Sequence, residues 1–487
     1  MKTLNSLLVL TMSLSLFAQV QLGADIDGEA VGDYSGWSVS LSDDGTIMAI
    51  GAYKNNGNGT ASGHVRVYGR GPNAGVWTQL GADIDGEAAG DHSGYAVSLS
   101  DDGTIVAIGA VSNAGNGTYA GHVRVYGYSS GSWSQLGADI DGEAIADFSG
   151  ASVSLSDDGT VVAIGADLNG GSGFTSGHVR VYGYSSGSWS QLGADIDGEA
   201  AADRSGASVS LSDDGTIVAI GAPYNDGGGS KAGHVRVYEY ASGTWSQLGA
   251  DIDGEAADDQ SGWSVSLSDD GTIVAIGAPQ NDGNGTDAGH VRVYEYVSGS
   301  WSQLGADIDG EAAGDWSGQP VSLSDDGTIM AIGAPQNDGN DPYVGHVRVY
   351  EYAGGSWSQL GADIDGEAAV DRSGYAISLS DDGTVVAIGA PQNDGNGNES
   401  GHVRVYQRAF GVGIEETNIL NLTSLNPNPN NGHFRIQVAQ EQVGSTYRIV
   451  DFSGRTIETG TITKPSQDFD LSDKPKGLYR VQVSNEK

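Results

Sequence analysis

Residues 261–279 read Ser-Gly-Trp-Ser-Val-Ser-Leu-Ser-Asp-Asp-Gly-Thr-Ile-Val-Ala-Ile-Gly-Ala-Pro, and residues 289–305 read Gly-His-Val-Arg-Val-Tyr-Glu-Tyr-Val-Ser-Gly-Ser-Trp-Ser-Gln-Leu-Gly. Apolar and polar side chains alternate from Trp263 to Ser268, the pattern of a strand with one buried face. Asp269-Asp270-Gly271 interrupts it. Asp-Gly tolerates the positive φ of a type I′ turn, so a tight hairpin of that type is expected. Thr272 to Ala278 is a nearly continuous apolar run, as in a strand covered on both faces. A loop rich in Gly, Asn and Asp occupies Pro279 to Gly289. His290 to Tyr296 alternates again, and Ser298-Gly299-Ser300 turns into Trp301 to Gly305. The stretch therefore contains four short antiparallel strands, here named A, B, C and D.

The stretch is one of seven copies. Gln-Leu-Gly-Ala-Asp-Ile-Asp-Gly-Glu-Ala begins at Gln21, Gln79, Gln135, Gln191, Gln247, Gln303 and Gln359, the first spacing being 58 residues and the others 56. Gly-His-Val-Arg-Val-Tyr recurs from Gly63 to Gly401 in the same rhythm. Four short strands per repeat suggest a propeller blade, and seven copies a seven-bladed β-propeller. The phase of the repeat predicts closure. The chain enters on Val20-Gln21-Leu22-Gly23, a strand D without its Trp, and the seventh copy stops after strand C near Tyr406. Pairing these ends closes the ring as three strands plus one and leaves no open edge at the seam. Such closure would hold together a chain of 487 residues that has no Cys.

The formal net charge is −41, almost all of it between Gln19 and Arg408. This excludes phosphate neutralisation by clustered Lys and Arg, hence nucleic acid, and adsorption to anionic lipid. Lys2 followed by the apolar run Leu7 to Phe17 reads as a signal peptide over residues 1–18, too short to span a bilayer. No later stretch approaches 18 apolar residues, so no membrane span is expected in the mature chain.

The blade pattern, Asp-x-Ser-Gly-x-Ser-Val-Ser-Leu-Ser-Asp-Asp-Gly-Thr-Ile-Val-Ala-Ile-Gly-Ala-Pro with Gly-His-Val-Arg-Val-Tyr, resembles the FG-GAP repeats of integrin α-subunit propellers. The match is best in copies four to seven, where Gly-Ala-Pro is complete. Ser-Gly, as at Ser261-Gly262, stands where that family has Phe-Gly. A short Ser-Asp-Asp-Gly turn replaces that family's calcium loop, so its calcium site does not transfer. The resemblance implies a propeller used for extracellular binding.

Tracing the strands puts the A–B and C–D turns on one face and the B–C loops and D–A connections on the other. Variation between copies gathers on the second face. Following the loop Asp come Tyr34, His92, Phe148, Arg204, Gln260, Trp316 and Arg372; three residues on come Trp37, Tyr95, Ala151, Ala207, Trp263, Gln319 and Tyr375. Aromatic and Arg side chains on an exposed rim suit stacking on sugars and hydrogen bonding to hydroxyls or carboxylates. The candidate ligand-binding residues are Tyr34, Trp37, His92, Tyr95, Phe148, Arg204, Trp263, Trp316, Arg372 and Tyr375. Asp251, Asp253, Glu255 and Asp259, with Asp25, Asp27 and Glu29 in the first copy, are candidate ligands for Ca2+, which takes oxygen donors; local turn and capping roles compete with this reading. No other cofactor is expected. His64, Arg66 and their equivalents are expected to be structural, through hydrogen bonds and Arg–Asp pairs between blades. The repeated Trp, Trp77 to Trp357, is expected to pack between blades. No catalytic constellation stands out; the carboxylates are numerous enough to hide a hydrolase pair, but they come in sevens where a catalytic pair normally needs a singular environment.

The repeat ends at Phe410, giving a propeller over residues 19–410 and a linker over 411–417. From Asn418 to Lys487 the composition changes. Asn-Pro-Asn-Pro from Asn426, Tyr447 to Arg455, Asp470-Leu471-Ser472 and Gly477 to Val483 together resemble the C-terminal sorting domain of the type IX secretion system of Bacteroidetes. A small immunoglobulin-like β-sandwich over residues 418–487 is expected, one that lacks the usual last basic strand and so reads as truncated. The resemblance implies the type IX machinery as a partner and a secreted or outer-surface location. The functional expectation is a monomeric binding or adhesion propeller for a glycan or protein. A propeller-scaffold polysaccharide lyase or hydrolase, or a structural surface protein without a specific ligand, are the alternatives.

Overall fold

A computed structural model describes residues 19–71, 75–339 and 341–408, and, further on, 422–426, 433–438, 443–451, 456–471, 474 and 479–484. The expected signal peptide and linker lie outside the described residues.

Gln21–Gln407 forms one compact unit, a seven-bladed propeller. Blade 5 shows why the repeat folds as it does. Its strands are Ser264–Leu267, Ile273–Ala278, His290–Val297 and Ser300–Gln303, antiparallel in that order. Strand B is buried on both faces, as its apolar run requires, with Val274, Ala275 and Ile276 at most 1% exposed. Strand C is longer than strand D can cover. Only Tyr294 to Val297 pair with strand D, and His290 and Val291 pair instead with Asp309 and Ile308. Each sheet thus gains a fifth, two-residue strand from the opening of the acidic connection. The Ile of that strand is buried, which anchors a segment that reads as a loop.

The A–B turn departs from the type I′ expectation. Only Gly271 has a positive φ, +66°. Its N–H donates to Ser268 O, and the Asp270 carboxylate accepts from Thr272 N and Oγ1 and from Ser268 Oγ. These bonds satisfy the turn while both Asp residues keep negative φ.

Strands A lie innermost, each in contact with strand A of both neighbours. Neighbours are tied by the Leu267 N–H to Ser210 Oγ and its equivalents around the ring. The turns form a second ring. The amide of Asp43 donates to Asp101 O, Asp101 to Asp157, and so on to Asp381, which donates back to Asp43. At the seam, Gln19–Gln21 supplies strand D of blade 7, beside His402–Arg408. Leu22 N donates to Val405 O, and Ile26 and Asp27 pair with Val403 and His402. The three-plus-one closure is therefore present. The repeated Trp bridges blades as expected: Trp301 Nε1 donates to Leu248 O.

The ring of Asp side chains has a pH consequence. Burial, with the neighbouring carboxyls of the ring, pushes Asp213 up to about 6, Asp101 and Asp269 to about 7 and Asp157 to about 9. A raised carboxyl binds its proton more tightly when folded. Its stability contribution is full below the ordinary Asp range and is lost as pH rises through 6 to 9. The buried His act oppositely. Burial lowers them, His64 and His402 to about 4, so their contribution is lost on acidification below about 6.5. Above that pH, among the described groups, the Asp ring carries the largest remaining change. The denaturant midpoint is expected to fall between pH 6.5 and 9, and Asp157→Asn to flatten the fall; a rising midpoint would contradict the assignment.

The C-terminal unit holds two three-stranded antiparallel sheets: Leu422–Asn426, His433–Val438 and Ser466–Asp470, and Thr456–Thr461, Thr446–Asp451 and Tyr479–Ser484. Phe434, Ile436, Val438, Tyr447, Ile449, Ile462, Phe469 and Leu471 form its core.

Candidate ligand-binding cavity

Strand A enters each blade through the Ser-Gly pair. Gly262 has φ +85°, and a Cβ there would lie 2.5 Å from His234 O of the preceding blade, so only Gly fits. Just before that pair stands the variable residue. Tyr34, His92, Phe148, Arg204, Gln260, Trp316 and Arg372 all have φ between 54° and 58°. That left-handed conformation costs an L-residue about 1–2 kcal/mol. The backbone enforces it: Gln260 N donates to Lys231 O, and Gln260 O accepts from Trp263 N.

These side chains are not the exposed rim expected from sequence. Gln260 is buried and the other six are half-buried. The left-handed turn lays several of them against the B–C loop of the same blade. His92 Nδ1 lies 2.9 Å from Ser112 Oγ, Gln260 Nε2 donates to Gln280 Oε1, Arg204 stacks 4.9 Å over Tyr224, and Lys54 sits 4.0 Å over Tyr34.

The residue three positions on points to the axis. There the hub of the variable face encloses a cavity of about 540 Å3. Seven of the ten candidates line it: Trp37, His92, Tyr95, Phe148, Arg204, Trp263 and Tyr375. Tyr34, Trp316 and Arg372 are not among its lining residues. One wall is aromatic, with Trp37 4.5 Å from both Tyr53 and Tyr375 and 5.6 Å from Tyr95. Burial pushes the Tyr53 and Tyr95 phenols up to about 12, so both stay hydrogen-bond donors at neutral pH. Ala151 and Ala207 replace rings in blades 3 and 4. Beside them stands Asp167, 4.0 Å from Arg204 Nη1. Burial pushes Asp167 up to about 6 against the pull of Arg204.

Tyr53, Val111 and Asp167 escaped the sequence reading. They occupy the position after Gly-Ala that is Pro in copies four to seven. The incomplete Gly-Ala-Pro in the first three copies was the signal.

The Asp-x-Asp-Gly-Glu element does not gather its own side chains. Asp251 Oδ2 lies 4.0 Å from His234 of the preceding blade, while Glu255 pairs with Arg292 of the following one at 3.5 Å. Asp253 accepts from Arg292 through its carbonyl, and Asp259 accepts from Ala256 N and Asn281 Nδ2. In the first copy, Asp25 lies with Glu367 and His402, Asp27 O accepts from Arg66, and Glu29 lies with His64 and Asp83. The interblade partner of the Arg carboxylate contact is thus Glu, with Asp met at its backbone.

The FG-GAP repeat family matches residues 20–68 and 251–294, within the first and fifth copies. Those two stretches match FG-GAP repeats, the family that the blade pattern resembles. The secretion system C-terminal sorting domain matches residues 424–487. The protein is thus a type IX secreted protein, released or attached to the outer cell surface, and its tail engages the secretion machinery. No curated protein matches the chain. Among solved structures, it is similar to a putative 6-phosphogluconolactonase from Bacteroides uniformis (12% identity, TM-score 0.49, covering 70% of this chain and 88% of that one). It is also similar to the hydrazine synthase of Kuenenia stuttgartiensis (12%, 0.49, covering 80% and 98%). Among the described residues, no helix is long and apolar enough to cross a membrane.

Proposed function

We propose that the propeller is a glycan-binding module that takes a sugar ring into the hub cavity. The carrying observation is that cavity's composition. Indole and phenol rings offer apolar faces for a pyranose, and Asp167 with Arg204 offers a charged acceptor and donors for its hydroxyls. The volume is within the range of small-ligand sites. Glycoside hydrolysis ordinarily needs two carboxyl groups flanking the bond. Asp167 is the single carboxylate among the described lining residues, which favours binding over hydrolysis.

Screening the purified chain on a glycan array tests this, the expected result being retention of a defined saccharide class. Release of products from a polysaccharide would replace binding with catalysis. Asp167 adds a pH signature. As a carboxylate it accepts hydroxyl hydrogen bonds more strongly than as an acid. Affinity for the retained saccharide is expected to fall as pH drops through about 6, and Asp167→Asn to abolish that dependence in a titration.

A further inference from the structure

We propose that the clusters formed between blades by one His, one Asp and one Glu bind divalent transition-metal ions, for which Zn2+ is the probe. In blade 1, His64 opens strand C and is 1% exposed, and neither of its ring nitrogens has a hydrogen-bond partner. Its Nδ1 faces two carboxylates, Glu29 Oε2 at 3.9 Å and Asp83 Oδ2 at 3.9 Å. Both distances are too long for hydrogen bonds.

The two carboxylates are held from behind. Gln79 Nε2 donates to Asp83 Oδ1 at 2.6 Å, and Arg66 Nη1 lies 3.9 Å from Glu29 Oε1. Each acid therefore spends one oxygen on a positioning partner and turns the other to the imidazole. That is the arrangement by which outer partners orient metal ligands. One nitrogen and two oxygens converge within 4.8 Å of one another. A zinc ion with bonds of about 2.0–2.2 Å needs its donors only slightly closer, and the half-exposed Glu29 side chain has room to swing its Oε2 toward the imidazole while Oε1 stays beside Arg66. An imidazole with two carboxylates suits zinc and its neighbours; Ca2+ prefers oxygen alone.

The cluster repeats around the ring, for example as Glu87–His122–Asp139 and Glu199–His234–Asp251, seven times in all. At the seam, Asp25 of the N-terminal segment joins Glu367 and His402. Each ion would bind the connection entering a blade to the connection leaving it. Ring closure would then carry a metal tie where an exported protein commonly has disulfides.

The full chain, dialysed against chelator and then given zinc, tests this. The expected result is about seven zinc ions retained per chain, a higher melting temperature, and anomalous density beside the imidazole Nδ1 atoms in crystals measured at the zinc edge. The same concentration of calcium should not reproduce the shift. His64→Gln with His122→Gln should lower the zinc count by two. Should that variant fail to fold, the anomalous map of the unaltered protein decides. Density absent from the imidazoles, or confined to the Asp turns, overturns the proposal, as does a chain whose stability ignores zinc.

Discussion

Removal of residues 19–27 is expected to abolish the cooperative unfolding transition of the propeller. The segment contributes strand D of blade 7 and the two-residue strand beside it. Its loss exposes the places of Leu22 and Ile26, each 7% exposed and packed with Val403 and Val405. Each such side chain is worth about 1.5–3 kcal/mol of burial. Leu22 O is also the acceptor for Trp77 Nε1, and Asp27 O the acceptor for Arg66. With backbone pairs at about 1 kcal/mol each, the total is of the order of a whole domain's stability, about 5–15 kcal/mol. The opened seam would in addition bare strand C of blade 7 as an edge. Denaturant titration followed by tryptophan fluorescence should show a broad, low transition, and light scattering should show association. A sharp transition near that of the intact chain would mean that the ring does not need its closing strand.

Trp263→Ala is expected to weaken saccharide binding about 30-fold or more, while Trp316→Ala changes it little. The two residues look equivalent in sequence, being aromatic positions on the same face. Trp263 lines the cavity, and in blade 6 the lining residue is Gln319. Removing a buried aromatic contact at the centre of a site typically costs about 2 kcal/mol or more, and 1.4 kcal/mol is a factor of ten. Calorimetry with the saccharide retained on the array measures both variants, with melting temperatures confirming that each is folded. Equal losses would move the site outward to the loops.

The fold was legible because the repeat states it seven times and the phase of the first and last copies states its closure. The four strands, the buried strand B and the bridging Trp all follow from local pattern. What escaped is informative. The Ile308–Asp309 strand is too short to show a period and exists only because strand C outruns strand D. The left-handed φ at Gln260 and its equivalents could not be read from residues as different as Tyr, Arg and Trp; it is imposed by backbone bonds from a distant loop. That conformation explains why side chains expected on a rim are half-buried. The candidate Ca2+ ligands are parted for a related reason. Asp251 and Glu255 are four residues apart in the chain, yet the two-residue strand between them sends them to different blades. Asp167 was hidden among many carboxylates, although its place after Gly-Ala, where later copies have Pro, marked it as singular.

The most direct measurement is a crystal structure of the chain soaked with the saccharide it retains. A sugar ring is expected in the hub cavity, stacked on Trp37 or Trp263 and hydrogen-bonded to Asp167 and Arg204. Sugar density on the outer loops or between blades, with the cavity holding none, would contradict it.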